Sequence, residues 1–144
     1  MKLQQSTLLA LYSVLEFARE PRRQFSTAQI AESYGASPHH LAKVLGRLRR
    51  AGLVTAARGS GGGYRFAGNA KRVTLLDVIA LFERIGAPAK MKKLPLEGAI
   101  AQVLAEIDET AKATFGSITL DTMLKIVTGR RAAGRRPGSA PPAR

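Results

Sequence analysis

Residues 57–66, Ala-Arg-Gly-Ser-Gly-Gly-Gly-Tyr-Arg-Phe, place four glycines within five positions, with an arginine on either side. Glycine loses more conformational freedom on ordering than any other residue, so such a run suits a sharp turn or a close backbone approach. Leu53 to Arg58 and Tyr64 to Ala67 flank it and read as two short strands. The pattern predicts a β-hairpin with Gly59, Ser60, Gly61, Gly62 and Gly63 at its tip. Glycine there permits positive φ and lets bare backbone N–H groups approach phosphates or a narrow groove. A bland flexible hairpin is the alternative. Nucleotide-binding and nucleophile motifs fail on spacing. G-x-G-x-x-G would need glycine at Tyr64, a Walker loop lacks its Gly-Lys-Ser/Thr, and an elbow around Ser60 would need glycine at Arg58.

What precedes the hairpin narrows its meaning. Gln5 to Arg19 carries Leu8, Leu11, Tyr12, Leu15 and Ala18 at helical spacing, and Pro21 follows. Ser26 to Gln29 reads as a capping box that opens a helix over about 27–34, ended by Gly35. Ser37 and Pro38 are an N-cap and a first-turn proline for a third helix that runs to about Ala51 and Gly52. Its apolar stripe is Leu41, Val44, Leu45 and Leu48. His39, Lys43, Arg47 and Arg50 take the other face, with His40 beside the first turn. Two short helices joined by a glycine turn form a helix-turn-helix, and an immediate hairpin makes it a winged helix. The cationic face suits a helix in the DNA major groove. Arg58 and Arg65 suit phosphates or the minor groove. An ordinary solvated face would mix signs, yet no Asp or Glu lies between Gly35 and Asp77.

Charge supports a nucleic-acid partner. The chain has 144 residues and a net charge of +13. Residues 1–86 hold 13 Lys and Arg against 5 Asp and Glu, 87–128 hold 5 against 5, and 129–144 hold 5 against none. The asymmetry points to a nucleic-acid-binding part joined to a neutral part, with a basic soluble surface as the plainer alternative. Cysteine is absent, so no disulfide, thiolate ligand or cysteine redox switch is possible. His39 and His40 are the only histidines. Neighbours on a helix point about 100° apart, which makes a poor chelating pair. No nucleophile or metal-ligand pattern appears elsewhere, so the chain is read as a non-enzyme with no cofactor. No 18-residue apolar run is present, so no membrane partner is expected and the chain is placed in the cytoplasm.

Beyond the hairpin, Thr74 to Asp77 caps a helix over about 75–85, followed by a loop through Lys90, Met91, Lys92 and Lys93. Leu96 to Phe115 keeps a three-four apolar spacing through Ile100, Val103, Leu104, Ile107 and Ala111. A long amphipathic helix outside the winged domain needs an apolar partner, which is read as a second copy of the chain. Packing on the first helix or the winged domain is the alternative. Thr119 caps a last short helix that ends at Gly129. The fold class is thus mainly α with a small β-hairpin. Residues 1–86 form the winged helix-turn-helix domain, 87–128 the linker loop and dimerisation helices, and 129–144 a disordered basic tail.

The order of these motifs resembles the Rrf-two family of bacterial winged-helix regulators, over roughly residues 1–128. The resemblance rests on Ile30-Ala31-Glu32 with Ser37-Pro38-x-x-Leu41, and on Leu48-x-x-Ala51-Gly52-Leu53-Val54. It rests most on Arg58-Gly59-x-Gly61-Gly62-Gly63-Tyr64 and Thr74-Leu75-Leu76-Asp77-Val78. It implies a homodimeric transcription factor, usually a repressor, on a palindromic operator in double-stranded DNA. Carried onto this chain, it implies DNA contacts from Ser37, Pro38, His39, His40, Lys43, Arg47, Arg58, Gly59, Ser60, Gly61 and Gly62, with Tyr64 propping the wing. Many members hold an iron–sulfur cluster on three cysteines after the fourth helix. Here that region, Gly86 to Gly98, has neither cysteine nor histidine, and Leu8 and Tyr12 stand where a fourth ligand is expected. A small-molecule effector, a partner protein or no signal at all would then replace the cluster. A winged-helix protein-interaction module, or an RNA-binding one, is the competing class.

Overall fold

The structure is a computed structural model and describes residues 1–58, 62–86 and 94–134. Local capping sets the first three helices. α1 is Gln5–Arg19. α2 is Thr27–Tyr34: the Ser26 hydroxyl oxygen accepts from the Gln29 N–H at 3.1 Å, and Gln29 Oε1 accepts from the Ser26 N–H at 3.1 Å. It ends at Gly35, whose φ of 60° is left-handed. α3 is Pro38–Arg50. The hairpin strands β1 (Val54–Ala57) and β2 (Gly63–Phe66) pair antiparallel, with Val54 opposite Phe66 and Ala57 opposite Gly63.

Phe25 extends this small sheet. It exchanges both backbone hydrogen bonds with Tyr64, each at 2.8 Å. This pairing gives Gly63 its reason. A Cβ there would fall well inside contact distance of the Phe25 carbonyl, so the position needs glycine for close approach.

One core unites the helices and the hairpin. Phe17, Leu41, Leu45, Leu48, Val54 and Val78 are fully buried in it. α1 is helical where the sequence predicts, but its buried face is rotated. Leu9, Ala10, Val14, Phe17 and Ala18 are buried with Thr7 and Ser13, whereas Leu8, Leu11 and Leu15 are half-buried and Tyr12 is exposed. The helix is apolar almost all round, so spacing alone does not fix the buried side. Its two buried hydroxyls are satisfied: Ser13 donates to the Leu9 carbonyl at 2.7 Å and Thr7 donates to Glu83 Oε1 at 2.6 Å. On the side facing α2, Tyr12 stacks on Tyr34 at 5.0 Å, and the Tyr34 hydroxyl donates to Glu16 Oε1 at 3.0 Å. Burial, then the Glu16 hydrogen bond and charge, push the Tyr34 phenol up to about 12.

α4 is Leu75–Ile79, shorter than the predicted span to residue 85. Leu81 and Phe82 donate to the carbonyls of Val78 and Ile79, three residues back, as the helix tightens and stops. Arg47 takes the Leu81 carbonyl and Glu83 turns to the start of α1, so the segment leaves the helical path for tertiary partners. α5 is Pro95–Ser117 and α6 is Leu120–Gly134. α6 passes through Gly129, where the sequence signal for a helix end proves too weak, so residues 129–134 are helical rather than disordered. Its first residue, Leu120, is fully buried in the core formed by α1 to α4. Leu120 and Asp121 donate to the carbonyls of Val73 and Ala70, and Leu75 donates to that of Ile118, each at 2.9 Å. A boundary at residue 86 is therefore no boundary of the core. The expectations for Lys90, Met91, Lys92, Lys93 and the tail from 135 onward lie outside the described residues.

Candidate nucleic-acid interface

α3 is built to bury one face and offer the other. Ser37 Oγ accepts from the His40 N–H at 3.0 Å, and Pro38 fixes the first turn. At the far end Gly52 takes a φ of 77° and Leu53 donates to the Leu48 carbonyl at 3.0 Å. Leu41, Val44, Leu45 and Leu48 are buried, whereas Ser37, Pro38, His39, Ala42, Lys43, Arg47, Arg49 and Arg50 are exposed. Ser37 spends its oxygen on the cap and keeps its hydroxyl proton for a partner.

Two candidate readers are held by the fold itself. His40 is half-buried, with Nε2 2.9 Å from Ser6 Oγ on α1, the donor depending on the His40 tautomer. Arg47 donates from Nη1 to the Leu81 carbonyl at 3.0 Å, and its guanidinium sits 5.3 Å over the Phe82 ring. Four of its five N–H donors remain, so it is an oriented cation rather than a free one.

His40, Lys43, Arg47 and Arg50 come together along one cleft of about 470 Å³, closed by Gln4 and Ser6 at the start of α1 and by Phe82. Arg58 and Arg65 do not line it. Both are exposed on the hairpin, Arg65 opposite Thr55 on β2 and Arg58 just past β1. Gly62 is half-buried, and Gly59, Ser60 and Gly61 lie outside the described residues. Tyr64 is partly buried and packs against the core.

The fold also adds what the motifs do not carry. Gln4, Ser6 and Phe82 reach the cleft from distant parts of the chain, and no local signal marks them. Arg50 does carry a signal, seven residues after Lys43 on the same helical face. Glu83 stands behind Gln4. Its carboxylate accepts from the Thr7 hydroxyl at 2.6 Å, the Gln4 N–H at 2.7 Å and Gln4 Nε2 at 3.4 Å. These donors, Thr7 first, hold the Glu83 carboxyl below the usual range. The residue also caps α1, which has no side-chain cap of its own.

On α5 the five residues read as a dimerisation stripe share one side of the helix, and no residue of this helix is buried. Ile100 is 62% exposed, Val103 55%, Leu104 56% and Ile107 55%, and Ala111 is half-buried. Val103, Ile107 and Ala111 line a mostly apolar groove of about 550 Å³, with Met1 at one edge. α5 is tied to the chain before it near its middle, where the Gly86 N–H donates to Asp108 Oδ2 at 3.3 Å. No helix among the described residues is long and apolar enough to cross a membrane.

Comparison with known proteins agrees with this architecture. The family model described as Rrf2, iron-dependent transcriptional regulator, matches residues 3–126. A Rhodopseudomonas palustris protein classed as the HTH-type transcriptional regulator BadM is 49% identical over 144 residues, spanning 97% of this chain and 92% of that protein. The structure of CymR, the global cysteine regulator of B. subtilis, superimposes with a TM-score of 0.74 at 26% identity, covering 88% of this chain and 98% of that one. T. potens IscR shares the fold, with a TM-score of 0.69 at 23% identity over 99% of this chain and 94% of that one. The iron in the family description finds no thiolate here. The chain has no cysteine, and among the described residues no three His, Asp or Glu side chains converge. A thiolate-held cluster does not fit these residues. With a winged-helix fold and a family match over most of its length, the chain belongs to the Rrf2 family of transcriptional regulators.

Proposed function

We propose that this regulator is a repressor that binds a palindromic operator in double-stranded DNA as a homodimer, without an iron–sulfur cluster. The observation that carries the reading is the exposed side of α3. It presents Lys43, Arg47, Arg49 and Arg50 with His39 and Ser37, and no carboxylate follows Gly35 until Asp77. Such a helix offers cations for guanine edges and phosphates and nothing that repels them. Arg58 and Arg65 on the wing add phosphate or minor-groove contacts beside it. The α5 stripe supports the second copy. Five large apolar side chains exposed along one helix, Leu96 with the four above, call for a partner, and a two-fold pair of such helices buries both at once. Two α3 helices related by that axis read two inverted half-sites.

Selection of binders from random duplex DNA, followed by a salt titration of the enriched sequence, tests the reading. An inverted repeat bound at least about a thousandfold more tightly than random duplex is expected. Equal, salt-sensitive binding to every duplex would reduce the basic surface to a nonspecific footprint and leave a protein-interaction module as the better reading.

A further inference from the structure

We infer that the cleft between α3, the start of α1 and the end of α4 seats a phosphate group, so that Gln4 and Ser6 extend the contact surface beyond α3, beside its Lys43, Arg47 and Arg50. The inference rests on the DNA-binding reading above and names a subsite of it. Lys43, Arg47 and Arg50 stand four and three residues apart, hence on one face of α3, and all three line the same cleft of about 470 Å³. No carboxylate is among its lining residues. Glu83 turns its oxygens onto the Gln4 N–H and the Thr7 hydroxyl. Arg47 enters already oriented by the Leu81 carbonyl and the Phe82 ring, so less ordering remains for it on binding. Ser6 is held against His40, and Gln4 is anchored through its own N–H. Three cations with neutral polar groups opposite suit a ligand that is anionic and rich in acceptor oxygens, which describes a phosphate better than a base edge.

Single neutral methylphosphonates placed along the selected duplex test this. One phosphate position in each half-site should lose about tenfold in affinity when neutralised, and lose nothing further in Arg50→Ala. The salt dependence of Arg50→Ala should be shallower by about one counterion per protomer. Ser6→Ala keeps the cations and should lose less, about two- to fivefold, at the same position. Thermal unfolding of both variants should match the parent, which separates contact from misfolding.

A second arm titrates inorganic phosphate against chloride at equal ionic strength. Displacement of duplex from the parent but not from Arg50→Ala, without any coupled methylphosphonate, would assign the seat to a soluble phosphate rather than the backbone. Arg50→Ala with unchanged operator affinity, no coupled position and no phosphate-specific displacement would overturn the inference while leaving the regulator reading intact. If no duplex is preferred, that reading fails, and the phosphate arm on random duplex decides the seat by itself.

Discussion

α3 and α5 are both amphipathic helices, and the fold treats them in opposite ways. The apolar stripe of α3 is entirely buried inside its own chain, and its polar side faces outward. The apolar stripe of α5 faces outward, with Ile100, Val103, Leu104 and Ile107 each more than half exposed. A single chain therefore completes the winged domain and leaves α5 unfinished. The difference teaches where each partner belongs. A helix whose apolar side is satisfied and whose free side is cationic meets a polyanion. A helix whose free side is apolar meets another apolar surface.

The comparison breaks most visibly at α5. Ile100→Asp places a carboxylate in the stripe of each protomer, where a paired interface would have to desolvate it. Sedimentation velocity should show monomers, and operator affinity should fall by about a hundredfold or more as two half-sites no longer bind together. A variant that stays fully dimeric would remove α5 from the interface.

Core substitutions sharpen the contrast next. Leu45, fully buried under α3, should lose about 2–5 kcal/mol of folding stability as Leu45→Ala in urea unfolding. Leu104→Ala, on the exposed stripe, should leave the folding of a monomeric background within about 0.5 kcal/mol. Similar losses at the two sites would mean that α5 is already packed within its own chain.

Lys43→Ala addresses the free side of α3. It is exposed, so stability and dimerisation should hold while operator binding weakens by about 1–3 kcal/mol. Unchanged affinity would move the reading surface off α3.

The smallest effect concerns pH. Glu83 is ionised more readily in the folded protein because Thr7 and Gln4 donate to its carboxylate. Its contribution is therefore present above the unfolded glutamate value of about 4.3, and is lost as pH falls through the lower folded value. Glu83→Gln should flatten the acid limb of thermal stability between about pH 5 and 3. An acid limb identical to the parent's would mean that the contact contributes nothing to folding.

Much of this was legible in the sequence, for reasons that differ by residue. Ser26 with Gln29, Ser37 with Pro38, and Gly35 and Gly52 are short-range devices whose partners lie within a turn. They set helix ends that the structure reproduces. The face of α1 was not legible, because leucines and alanines surround the helix while its buried side includes Thr7 and Ser13. The early stop of α4 was hidden too. It depends on Arg47 and on the start of α1, 34 and 79 residues away in sequence. At the candidate interface, Lys43 and Arg50 announced themselves by spacing and charge, whereas Gln4, Ser6 and Phe82 are ordinary residues until the fold assembles them. Gly63 belongs to both groups. Its run was conspicuous, but the carbonyl that demands glycine there is that of Phe25.

Hydroxyl-radical footprinting of the selected duplex, with the number of bound chains counted in the same complex, tests the central claim most directly. Two chains per duplex should protect two patches related by a dyad, with centres about 10 base pairs or a multiple of that apart. One chain on a single unsymmetrical patch, or uniform protection of any duplex, would contradict a dimer that reads DNA through paired α3 helices.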